Sequence, residues 1–121
     1  MNAYTQVVFD DWVYGTASVY TAAALNEFLS RCNSMTVHAI VDQATASATL
    51  TVTKETASDE RGFATASTFF SAQALTAGAT NSFVASAGNI AAEYARLNVT
   101  LGGPSPMAKV KLIVTLRTEL G

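Results

Sequence analysis

The sequence of 121 residues predicts an all-β fold, an antiparallel, jelly-roll-like β-sandwich of about eight short strands. Two observations predict it. Apolar and polar residues alternate with period two along much of the chain, the pattern of strands that bury one face. Turn-forming or charged segments interrupt that alternation at spacings of about 8–15 residues, as in sandwiches and barrels. The length suits one domain with a real hydrophobic core and is short for two.

In chain order, residues 4–9 are a first, weakly patterned strand. Tyr4, Phe9, Trp12, Tyr14 and Tyr20 crowd the opening stretch. Residues 1–18 therefore read as a candidate N-terminal arm ahead of a β-sandwich domain over 19–121. A second weak strand falls at 19–24. It competes with a short helix near 22–32, because Leu25, Phe28, Leu29 and Cys32 recur at helical spacing and Ala22, Ala23 and Ala24 favour helix. The segment 35–41 is a firm strand with Met35, Val37, Ala39 and Val41 on one face. Residues 42–45 read as a hairpin connection to the next firm strand, 48–54, which turns Ala48, Leu50 and Val52 inward and Thr49, Thr51 and Thr53 outward. The charged segment 55–62 is an exposed loop. Weaker strands follow at 68–74 and 81–85. Two firm strands close the chain, with Ala95, Leu97, Val99 and Leu101 on one face and Val110, Leu112, Val114 and Leu116 on the other's. Between them Gly102-Gly103-Pro104-Ser105-Pro106 forms a stiff bend, since Pro106 biases Ser105 away from helical geometry. Residues 93–116 thus read as the closing strand pair.

Composition narrows the function. Half of the residues are hydrophobic, but only 13% are charged, against about 25% in an ordinary soluble domain. Alanine supplies much of the apolar content, and serine and threonine most of the polarity. A surface of small neutral side chains is poorly defended against self-association. The net charge of −2 and the scattered basic residues argue against nucleic acid as a partner. No apolar run is long enough to span a bilayer, and the first residues lack the pattern of a secretory leader.

Little catalytic chemistry is available. His38 and Cys32 are each single, which excludes multi-histidine and cysteine-rich metal sites by count. His38 reads as a half-buried strand residue on the face opposite Met35 and Val37, and Cys32 as a small buried hydrophobe. Asp10 and Asp11 are adjacent and point to opposite faces of a strand, so they do not converge as an acid–base pair. Asp59-Glu60-Arg61 is a solvated loop tip, or else a salt bridge to a neighbouring subunit or a weak cation site. No enzymatic activity and no cofactor are expected. The aromatic residues near the N-terminus either join the core or form a recognition surface, on sugar rings or on protein. Phe69 and Phe70 are adjacent, so a strand would bury one of them and expose the other.

The order of features from about Ser34 to Leu116 resembles small β-sandwich virion proteins of tailed bacteriophages, of the capsid decoration or minor head protein type. The resemblance rests on MTVHAIVDQATASATLTVTKE, the charged SDERGF, the Ala/Thr/Ser-rich STFFSAQALTAGATNSFVAS and the closing EYARLNVTLGGPSPMAKVKLIVTLR with its Tyr94-Ala95-Arg96 strand. It implies a non-enzymatic protein made in the host cytoplasm and carried on the capsid exterior. Its partners would be the major capsid protein or another virion protein, and further copies of itself, a trimer being one arrangement. Tyr4, Phe9, Trp12, Tyr14, Asp59 and Arg61 are the candidate contact residues. The alternatives are a carbohydrate-binding sandwich, with Trp12, Tyr14 and Tyr20 as stacking platforms, and a tail, neck or self-assembling shell subunit.

Overall fold

The computed structural model describes residues 2–20, 34–57, 64–88 and 94–118. They form eight strands and, among the described residues, no helix: β1 Asn2–Tyr14, β2 Val19–Tyr20, β3 Ser34–Ala44, β4 Thr49–Ala57, β5 Ala64–Ala74, β6 Asn81–Gly88, β7 Tyr94–Gly102 and β8 Met107–Thr118. The expected strands are present, except that of 19–24 only Val19–Tyr20 falls within the described residues. The expected short helix near 22–32, with Cys32, lies outside the described residues, as do Asp59 and Arg61.

The strands build two antiparallel sheets of four, in the orders β1-β8-β3-β6 and β2-β7-β4-β5. Facing sheets of this kind bury their inner side chains in a layer about 10 Å thick. From the first sheet come Val13, Met35, Val37, Ala39, Val41 and alternate residues of β8 from Ala108 to Leu116. From the second come Leu50, Val52, Phe70, Leu97, Val99 and Leu101. Period two produces this core directly, because every second residue is buried in β3 from Met35 to Val41 and in β8 from Ala108 to Leu116. Phe70 is buried and touches the Phe83 ring at 5.9 Å, whereas Phe69 is half-buried against the core rather than exposed.

The hairpin expected at 42–45 is corrected, and the closing strand pair of 93–116 is not a pair within one sheet. β3 and β4 belong to opposite sheets, as do β7 and β8. The connections 45–48 and 103–106 are therefore arches over the end of the core. Residues 42–44, expected in the connection, still belong to β3. Alternation specifies a buried face, and that face is buried equally well beside its neighbour or across from it. Backbone bonds hold the arches. Thr45 N–H donates to Met107 O at 2.9 Å, and Met107 N–H donates to Thr45 Oγ1 at 3.0 Å. Gly15 N–H donates to Pro106 O at 2.8 Å, and Leu75 N–H to Ala48 O at 3.0 Å. Gly103 has φ +108°, and a Cβ there would sit 2.5 Å from the Ser47 carbonyl oxygen. The two arches touch backbone to backbone, and only glycine permits that approach.

Candidate interaction surface

Most of the segment expected as an arm is laid into the first sheet. Residues 2–14 form β1 and pair along β8, from Asn2 opposite Thr118 to Tyr14 opposite Met107, with a bulge between Val7 and Phe9. Tyr4 stands opposite Leu116 in this ladder. Phe9 stands opposite the buried Leu112 and packs against the core. Trp12 and Tyr14, two residues apart, share the outer face, where they stand opposite Lys109 and Met107. Their rings stack, with centroids 6.3 Å apart and planes 22° from parallel. Tyr14 is 65% exposed. Of the six candidate contact residues, the structure brings these two together as an open aromatic platform.

The rest of this outer face is made of hydroxyl and apolar residues with a few charges. A hydroxyl row crosses all four strands: Thr5, Thr115, Thr36 and Ser86. Thr5 and Thr115 Oγ1 atoms lie 3.1 Å apart, and Thr36 Oγ1 and Ser86 Oγ 2.8 Å. The next row is Val7, Ile113, His38 and Val84, with Val7 and Val84 exposed at its two ends. His38 faces outward and is half-buried, as expected, with Nε2 2.7 Å from Ser82 Oγ. Asp10 and Lys111 stand opposite each other one row further on. The face offers apolar and hydroxyl contact area with two lysines near the aromatic platform.

The outer face of the second sheet is threonine-rich, with Thr49, Thr51, Thr53 and Thr100 outward, and carries one compact charged cluster. Glu55 is buried on this side, although outward-facing. Its Oε1 accepts from Arg96 Nε at 2.9 Å and from Arg96 Nη2 at 2.8 Å, and its Oε2 accepts from Asn98 Nδ2 at 3.0 Å. The Arg96 guanidinium lies 3.8 Å from the centroid of the Tyr20 ring, a cation–π contact. Tyr20 therefore serves a structural cluster on the opposite sheet. It does not join Trp12 and Tyr14 in one stacking platform, as the carbohydrate alternative required. The sequence shows Arg96 and Asn98 two apart, hence on one face. The partnership with Glu55 depends on the β4–β7 register, in which Glu55 meets Arg96, and local pattern does not reveal that register.

Lys54 is the third unusual position. It stands opposite Leu97 on the core side of β4, with only 4% of its surface exposed. Burial lowers the pKa of its amine.

No protein-family model matches the chain, and no curated protein matches it in sequence. Solved structures do share its fold. Among them are structures of infectious bursal disease virus: a chain of its Gx strain aligns over 96% of this chain, with TM-score 0.65 and 16% identity. VP2 of the subviral particle aligns over 97%, with TM-score 0.65 and 13% identity. This chain spans about a third of the length of each (32% and 33%). The CBM22-1 xylan-binding domain of Paenibacillus barcinonensis Xyn10C aligns over 92% of this chain and 94% of its own, with TM-score 0.59 and 11% identity. At such identities the common property is the fold, which in this chain is, among the described residues, a sandwich of two four-stranded antiparallel sheets.

Proposed function

We propose that the protein is a non-enzymatic virion structural subunit that works by protein–protein contact, decorating or reinforcing the exterior of a tailed-phage capsid. The observation that supports this best is the likeness of nearly the whole chain to about a third of viral VP2 in a subviral particle. The surface described above supports it as well, being hydroxylated and poor in charge. The contact to a capsid is assigned to Trp12 and Tyr14 on the β1 edge, where rigid aromatic rings supply contact area at low entropic cost. Asp59 and Arg61 are proposed as a second, ionic contact to a neighbouring subunit. The test is sedimentation of the purified protein with empty capsid shells, wild type against Trp12→Ala. Wild type should pellet with shells in a fixed ratio, and the variant should stay in the supernatant. Wild type that never pellets would refute attachment.

A second function is favoured by one observation, the module-for-module likeness to a xylan-binding domain. In that case the Trp12–Tyr14 pair would stack on sugar rings. Saturable quenching of Trp12 fluorescence by xylan oligosaccharides or another glycan would establish it, and no response across a broad panel would remove it.

A further inference from the structure

Two sheets have four edges, and among the described residues three of them are poor templates for another strand. β1 carries the adjacent charges Asp10 and Asp11 and a bulge. β2 is only 2 residues long. β5 has three register irregularities against β4, and Ala72 in it adopts a left-handed φ of 47°. Charges, short strands and bulges are the devices that keep sheet edges from pairing with other chains. β6 has none of them. Asn81–Gly88 runs unbroken against β3, and its sequence NSFVASAG contains no charge and no proline. No strand lies on its other side among the described residues.

The β6 edge is also complementary to itself. Outward from the sheet it presents Ser82, Val84 and Ser86, all exposed, with Val84 at 62%. Toward the core it presents Phe83 and Ala85, both half-buried. Reversed about Val84, the outward series repeats itself, and the inward series sets a large side chain against a small one. We infer that β6 pairs antiparallel with β6 of a second copy about a two-fold axis at Val84, joining two four-stranded sheets into one continuous sheet.

In this register Val84 meets Val84 of the partner subunit, Ser82 meets Ser86 of the partner subunit, and Phe83 meets Ala85 of the partner subunit. Each pair is matched in polarity, and the half-exposed Phe83 ring gains a cover. A register centred on Phe83 opposes two large rings and sets Val84 against a serine. One centred on Ala85 sets Val84 against the other serine. The hydroxyls extend the match, because Ser86 already bonds Thr36 and Ser82 already bonds His38 at 2.8 and 2.7 Å. A serine hydroxyl donates once and accepts twice, so the serine pair across the axis can link these two bonds into one chain. The contact is isologous and closes at two copies through this edge.

The inference does not depend on the virion role, and its test is separate from shell binding. Opposed residues of antiparallel strands have Cα atoms about 4.5–5.5 Å apart, within reach of a disulfide. In a Cys32→Ser background, which removes the single native cysteine, the variants Val84→Cys, Ser82→Cys and Ser86→Cys are oxidised and resolved by non-reducing electrophoresis. Val84→Cys should form a covalent dimer by itself. Ser82→Cys and Ser86→Cys should each stay monomeric alone, their thiols being about 13 Å from their own copies, and cross-link when mixed. Val7→Cys, exposed on the opposite edge, is the collision control. Circular dichroism confirms that each variant is folded. Cross-linking of Val84→Cys no faster than of Val7→Cys would overturn the pairing, and cross-linking of Ser82→Cys or Ser86→Cys alone would overturn this register.

Discussion

Glu55 is held by donors from Arg96 and Asn98 on the solvent side of its sheet, and it is buried there beside a guanidinium that Tyr20 covers. Removing Arg96 leaves the buried carboxylate, among the described residues, with the Asn98 amide as its side-chain donor. Loss of one partner from a buried pair costs about 3–5 kcal/mol, and the partial exposure of Arg96, 28% of its side chain, screens part of that. Arg96→Ala is therefore expected to lower unfolding free energy by about 2 kcal/mol in urea titration, with little change in m-value. Lys54 makes the opposite prediction. Its folded pKa lies below the usual 10.5 because burial disfavours the charged amine. The unfolded chain thus binds the proton more tightly than the folded one. Stability rises as pH climbs from the lowered value to 10.5, and the cost of burying the charge persists in full below that window. Lys54→Met, which fills the same space without a charge, should stabilise the protein at pH 7 by about 1 kcal/mol. It should also lack this lysine's share of the alkaline gain, as measured by urea titrations at pH 7 and pH 10. Lys54 lies on a strand that is plain in the sequence, whereas Glu55, expected to open the exposed loop 55–62, instead lies buried in β4, which runs on to Ala57. Their environments were hidden, because Glu55 acquires its partner, and Lys54 its apolar neighbours, from strands more than forty residues away in the chain.

At the scale of elements, the described end of the sandwich is where connections are bonded to one another. The Gly103 backbone lies against Ser47 at a φ that L-residues rarely adopt. Gly103→Ala must both strain this torsion and move the neighbouring arch. A loss of about 2 kcal/mol or more in thermal or urea unfolding is expected, well beyond the usual cost of a surface change. β1 makes a second prediction. Its pairing along β8 and the buried Val13 make residues 2–14 part of the fold. Their deletion should yield an unfolded or aggregated chain by circular dichroism. Trp12→Ala, on the outer face, should stay folded with stability within about 1 kcal/mol of wild type. Attachment experiments therefore call for the point variant. The β3, β4, β7 and β8 strands were readable from alternation alone, within a few residues at each end. β1 was readable only in part, because its bulge resets the alternation after Val7 and its aromatics fall on both faces.

For the whole molecule, a charge-poor composition translates into outer faces rich in hydroxyls and, among the described residues, one unguarded edge. The proposed β6 contact joins copies in pairs, so a larger assembly needs a second, different contact, for which the Trp12–Tyr14 platform on the far edge of the same sheet is placed. Light scattering of the purified protein should then report dimers, and larger species only with shells present. The aromatic richness of the first twenty residues pointed toward this platform. It did not separate Trp12 and Tyr14 from Phe9, which packs against the core, or from Tyr20, which serves the other sheet.

For β3, β4, β7 and β8 the sequence by itself determined that each core segment is a strand and which of its sides is buried, and for the whole chain that the surface is small, poor in charge and hydroxylated. Those properties follow from residue type and period two, and each strand carries them locally. The tertiary structure alone decided which sheet each strand enters, which connections are arches, which edges stay open and which distant residues meet. An alternating strand buries its apolar face equally well in either sheet. The choice falls to long-range pairing and to a few contacts between connections, such as Thr45 with Met107 and Gly103 with Ser47.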